Sequence, residues 1–183
     1  CPSSTNDASL LLPASVFGTE YYALSWGSFY EGVVGLEYLG FVAVTATSDH
    51  TNVTVESPSF LHAGAGVAAS SPCTTSYTID RGDVLILSSG SYAEKPCEYG
   101  HCVGTPDHDL TGTHILSDKP IGVIAGHDCT FIPYDQGYCD HLEETVFPEQ
   151  TLSAAVLGPC NAADINGRSP MISTGRSFGW ISL

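Results

Sequence analysis

Apolar and polar residues alternate at a spacing of two over short runs, and Gly and Pro punctuate nearly every apolar segment. β-Branched and aromatic side chains dominate inside the runs, as expected of half-buried strands. The pattern predicts strands over 20–26, 41–46, 52–56, 76–80, 84–88, 112–116 and 121–125. Three clusters of turn residues lie between neighbouring runs: Ser48-Asp49-His50-Thr51, Arg81-Gly82-Asp83 and Ser117-Asp118-Lys119-Pro120. Each predicts a hairpin. Short strands at this spacing predict an all-β fold, an antiparallel β-sandwich of the jelly-roll or Ig-like kind. Segments 63–72, 90–108 and 126–140 read as loops. Residues 1–9 form a polar lead and 10–148 the sandwich module. Residues 149–183 read as closing strands or the start of a following unit.

Cysteine usage adds covalent staples to this picture. The seven cysteines include no C-x-x-C pair and no zinc-finger spacing, so they read as a disulfide framework formed in an oxidising, extracellular setting. Local pairs Cys97–Cys102 and Cys129–Cys139 are expected, each inside one long loop. Cys73 and Cys160 then join distant segments, and Cys1 is left over. Spacing alone does not fix this connectivity. Cys1 has two open readings: a processed terminus such as a lipid-modified one, or the start of a fragment.

Charge narrows the partners. Five Lys and Arg stand against twenty Asp and Glu, a net −15, and only 14% of residues are charged. Nucleic-acid phosphates need cations that this chain lacks, and anionic membrane surfaces are disfavoured for the same reason. No apolar stretch approaches the ~20 residues of a membrane-spanning helix.

Several constellations could carry chemistry. His127, Asp128, Asp140 and His141 flank Cys129 and Cys139, and a bridge there would gather them into a zinc-type ligand set. The alternative is that they hydrogen-bond loop backbone. Asp107, Asp109 and Asp118 are oxygen donors suited to calcium. Asn52-Val53-Thr54 is an N-glycosylation acceptor pattern, and Arg81-Gly82-Asp83 matches an integrin-recognition tripeptide as well as a turn. Tyr21, Tyr22, Trp26, Phe29 and Tyr30 make an aromatic-rich opening that either stacks on sugars or proteins or points alternately into the core. Catalysis is hard to assemble: there is no Gly-x-Ser-x-Gly elbow, no phosphate-binding loop and no dinucleotide fingerprint. Glu143 and Glu144 would face opposite sides of a strand.

An ordered series of short strings carries a resemblance. Asp109-Leu110-Thr111-Gly112-Thr113 comes first, then Ser117-Asp118-Lys119-Pro120-Ile121. Ala125-Gly126-His127-Asp128-Cys129 and Tyr138-Cys139-Asp140-His141-Leu142-Glu143-Glu144 follow. Together with Leu12-Pro13-Ala14-Ser15, Phe17-Gly18-Thr19-Glu20-Tyr21-Tyr22 and Val53-Thr54-Val55 after an Asp/Asn turn, the series resembles the N-terminal domain of the IgGFc-binding-protein family, over roughly 10–148. The resemblance implies an extracellular or cell-surface β-sandwich module, non-catalytic, that binds, adheres or serves as a scaffold. Its partner would be an extracellular protein or glycan. Two other readings stay open. One is a self-assembling subunit of a filament or coat, pairing through an edge strand or the tail 151–183. The other is a metal-dependent hydrolase using His127, Asp140 and His141.

Overall fold

The computed structural model of the chain describes residues 8–31, 36–69, 73–89, 108–131 and 139–151. Among the described residues there are nine strands: β1 (Gly18–Tyr22), β2 (Phe29–Glu31), β3 (Leu36–Tyr38), β4 (Gly40–Ala46), β5 (Thr51–Ser57), β6 (Cys73–Ile79), β7 (Val84–Ser88), β8 (His114–Thr130) and β9 (Asp140–Thr145). The seven expected runs account for β1, β4, β5, β6, β7 and β8, the last two runs merging into β8, which continues into the expected loop 126–140; β2, β3 and β9 lie outside them. Short 3-10 turns occupy Ala14–Val16 and Glu149–Thr151. The chain divides into two compact units, Cys1–Glu149 and Gln150–Leu183, and all nine strands belong to the first.

The 17-residue strand β8 is the axis of the fold. Its first part, near 114–117, lies between β5 and β1; its second part, near 121–127, lies between β4 and β9. β6 adds to the free side of β5 and β7 to the free side of β4. All these pairings are antiparallel. They give two half-sheets, β6-β5-β8-β1 and β7-β4-β8-β9, joined through β8 into one curled seven-stranded sheet. A separate ribbon pairs β2 with β3. The all-β, antiparallel expectation therefore holds. The two separate facing sheets of a sandwich are not what the pairing gives, because β8 hydrogen-bonds into both halves.

The three expected hairpins are corrected together. β4 and β5 both run antiparallel to β8, one after the other, so the turn between them carries the chain from one half-sheet to the other without reversing it. β6 and β7 are joined across Arg81-Gly82-Asp83 in the same way. Ser117-Asp118-Lys119-Pro120 is no turn, since β8 runs straight through it. These three crossings meet at one crease and satisfy one another's backbone. Asp118 accepts the Asn52 backbone N–H at 2.9 Å and its side-chain amide at 2.8 Å. Lys119 Nζ donates to the carbonyls of Asp49 and His50 at 2.6 and 2.8 Å. Thr47 Oγ1 donates to the Pro120 carbonyl at 2.7 Å. Arg81 N–H and His50 N–H donate to the carboxylates of Asp49 and Asp80. Gly82 takes a φ of 88°, a left-handed value that suits glycine.

The core follows from register. Residues directly opposite on paired strands share a face. Val42 faces Ala125 and Leu87, Val44 faces Val123 and Leu85, and Val55 faces Ile115; all are buried. Each such side chain contributes about 1.5–3 kcal/mol on leaving water. Tyr21 joins them from β1. Its ring is buried, its hydroxyl donates to the Ile121 carbonyl and accepts from Gly18 N–H, and burial raises its pKa.

Candidate functional site

Opposite the core, the half-sheet β6-β5-β8-β1 presents a polar face. Register sets it out in rows: Thr78 beside Asn52; Ser76 beside Thr54, Leu116 and Glu20; Thr74 beside Glu56, His114 and Tyr22. Asn52, Glu56, Tyr22, Thr74, Ser76 and Thr78 are exposed. The first row is held by hydrogen bonds: Thr78 Oγ1 donates to Asn52 Oδ1 at 2.9 Å, and Asn52 Nδ2 to Asp118. The bonds from Asn52, and after them the nearby Lys119 charge, hold the Asp118 carboxyl below its ordinary range.

The third row holds the most organised group. His114 Nε2 lies 2.9 Å from Glu20 Oε1 and Nδ1 lies 3.1 Å from Glu56 Oε2. Tyr22 stacks on the imidazole at 4.5 Å, with the rings 7° from parallel. Burial works against the charged ring, but the hydrogen bonds and charges of the two carboxylates outweigh it and raise the His114 pKa. The sequence pattern did not single out His114, Glu20 or Glu56. Each lies in or at the end of an expected strand, but the convergence depends on which strands are neighbours.

The residues that the sequence did single out are dispersed. His127 is wholly buried at the inner face, while Asp128, next along the strand, is exposed on the other side. His127 Nδ1 accepts the Cys129 backbone N–H at 3.1 Å, and burial pushes its pKa down to about 4, a backbone bond to Gly27 offsetting part of the effect. His141 is turned toward the Asp128 carbonyl (3.2 Å) and Glu143 (3.5 Å) and stacks on Phe41. Asp140 is exposed at the start of β9. Among the described residues no group of three His, Cys, Asp or Glu side chains is placed to hold a metal ion. His127, Asp128, Asp140 and His141 are thus not brought together as ligands. Asp109 accepts the Thr111 N–H, a turn-capping role, Asp118 serves Asn52, and Asp107 lies outside the described residues.

Cys129 and Cys139 are joined, with Cα atoms 5.2 Å apart, and tie the end of β8 to the start of β9. Cys1, Cys97, Cys102 and Cys160 lie outside the described residues, and Cys73 begins β6. The aromatic opening divides. Tyr21 belongs to the core rather than to a contact surface, Tyr22 is 39% exposed, and Trp26 is partly buried. Phe29 and Tyr30 lie on the ribbon strand β2. Arg81, Gly82 and Asp83 are exposed at the crease, where the Asp83 carboxylate accepts the Asp80 N–H at 2.9 Å.

A family model described as IgGFc binding protein matches residues 7–160. The chain belongs to the IgGFc-binding family. No curated protein and no solved structure matches it. In this member of the IgGFc-binding family, the strings that carry the resemblance fall on the 3-10 turn before β1, on β1, β5, β8 and β9, and on the turn before β8. Their residues do architectural work. Gly112 takes a φ of 89° at the turn, Tyr21 bonds across to β8, Gly126 admits the β9 backbone, and Cys129 anchors the staple. The family match, residues 7–160, takes in all nine strands, the polar face of β5 and β6 included. No helix among the described residues is long and apolar enough to cross a membrane.

Proposed function

We propose that this chain is a non-catalytic, extracellular binding module that engages a protein or glycan through the polar face of β6-β5-β8-β1. The family match carries the reading. The face supports it with exposed hydroxyls, the Asn52 amide, two carboxylates and one exposed aromatic ring on one sheet face, a composition suited to polar extracellular partners. The IgG Fc fragment is the first protein to try, on the family's name, with an array of immobilised glycans beside it. Ser76→Arg places bulk and charge in the middle row on an exposed side chain. Binding of the recognised partner is expected to fall at least about tenfold, the ~1.4 kcal/mol that a blocked contact readily costs, with the melting temperature unchanged. Full binding by the variant would move the contact surface elsewhere. Binding to neither probe class, alongside a chelator-sensitive hydrolytic activity, would remove the reading itself.

One observation favours a second reading, self-assembly. Among the described residues β7 ends the strand order, with Leu61 and His62 meeting it only at Ser88 and Ser89, and its outward side chains Val84 and Ile86 are 59% and 56% exposed. Neither Lys nor Pro blunts this edge. In sedimentation across a concentration series, assembly through β7 predicts growth of larger species by the native chain and a monomer for Ile86→Lys. A native chain that stays monomeric throughout excludes it.

A further inference from the structure

We propose that Glu20, His114 and Glu56 form a proton-operated clamp that ties β1 to β5 across β8 in mildly acidic surroundings and releases them as the surroundings turn alkaline. The clamp does not require the polar face to bind a partner. Its basis is donor counting. A neutral imidazole has one N–H donor and one acceptor nitrogen, whereas an ionised carboxylate only accepts. Here both ring nitrogens lie within 3.1 Å of a carboxylate oxygen. A neutral ring leaves one lone pair pointing at an anion, and only the imidazolium donates to both. Charge-assisted bonds of this kind are roughly twice as strong as neutral ones.

The surroundings favour the charged ring. Glu20 and Tyr22 face it from β1 and Glu56 from β5, while β6, one strand further out, brings Thr74 to the same row. Tyr22 offers its π-face to the imidazolium. Arg81 and Lys119, the cations among the described residues, belong to the crease. The raised His114 pKa agrees with this geometry. The sign follows: a group whose pKa is raised on folding contributes stability that is complete below its ordinary value of 6.5 and is lost as pH rises through the folded value.

Two measurements on the full chain test the clamp. In a histidine-resolved NMR titration, His114 is expected to titrate above 6.5 and to move down when Glu20→Gln and Glu56→Gln are combined. In thermal unfolding, the native chain is expected to exceed His114→Gln by about 2–4 °C at pH 6, as about 1 kcal/mol gives in a domain of this size, with the gap closing at pH 9. The comparison is made between the two proteins at each pH because His127 titrates in the opposite sense. Titration of His114 at or below 6.5, or a gap that is the same at both pH values, overturns the proposal. If His114→Gln does not fold, the NMR titration of the native and Glu variants decides alone.

Discussion

Gly126→Ala is expected to destabilise the module by about 3 kcal/mol or more, toward the top of what a single overpacked site costs. A Cβ at Gly126 would lie 1.9 Å from the Leu142 carbonyl oxygen, 2.9 Å from its carbon, and 2.9 Å from the Phe41 ring. The first two are backbone atoms of β9, so no rotamer change relieves them. β9 would have to move off β8, loosening the Gly126–Glu143 and His127–Leu142 pairings together. Gly122 is the informative contrast. There the close atoms belong to the Phe17 ring, 2.6 Å away, and a side chain can swing aside. Urea unfolding should rank Gly126→Ala well below Gly122→Ala in stability. Equal, small losses at both sites would mean that β9 does not press on β8 in this way.

The second large effect concerns acid. His127 is wholly buried, and its pKa falls from an ordinary 6.5 to about 4 because burial penalises the charged ring. The Cys129 N–H on Nδ1 places the neutral ring's proton on Nε2. The unfolded chain takes up a proton first, so this group's contribution is complete above 6.5 and is withdrawn as pH falls toward 4. The drop corresponds to about 3 kcal/mol, at 1.36 kcal/mol per tenfold change in proton affinity. Stability measured from pH 7 to 4 should fall more steeply in the native chain than in His127→Gln by about that amount. Parallel profiles would show that His127 does not stay neutral in the folded state. Acidification thus weakens the fold at His127 while it tightens the contact at His114, and the two histidines bound a range of pH from opposite sides.

Much of the strand content was legible in the chain. The alternation that marks 41–46, 52–56 and 84–88 is the same alternation that buries Val42, Val44, Val53, Val55, Leu85 and Leu87. What local pattern could not reveal was direction. Asp49-His50, Arg81-Gly82-Asp83 and Asp118-Lys119-Pro120 carry turn chemistry because they bond one another's backbone at a crease, and that chemistry looks alike whether the chain reverses or crosses over. In β8 the clue was parity. Ile115, Ile121, Val123 and Ala125 keep one alternation on both sides of Pro120, which a two-sided hairpin has no reason to preserve. The Cys129–Cys139 bridge was readable because both partners fall in one short segment. His114 with its two glutamates was not, since Glu20, Glu56 and His114 are brought together solely by strand order.

The way into the module and the way out share a corner. The Thr145 N–H donates to Ser9 Oγ at 2.7 Å, although the two residues are 136 apart in sequence. In a longer polypeptide such a bead takes up almost none of the end-to-end reach while folded. Opened by tension, it would pay out at most on the order of 400 Å of slack at roughly 3.4 Å per residue, less every stretch held by a disulfide, Cys129–Cys139 being the one among the described residues. The geometry that brings Ser9 beside Thr145 would therefore also store length in such a polypeptide.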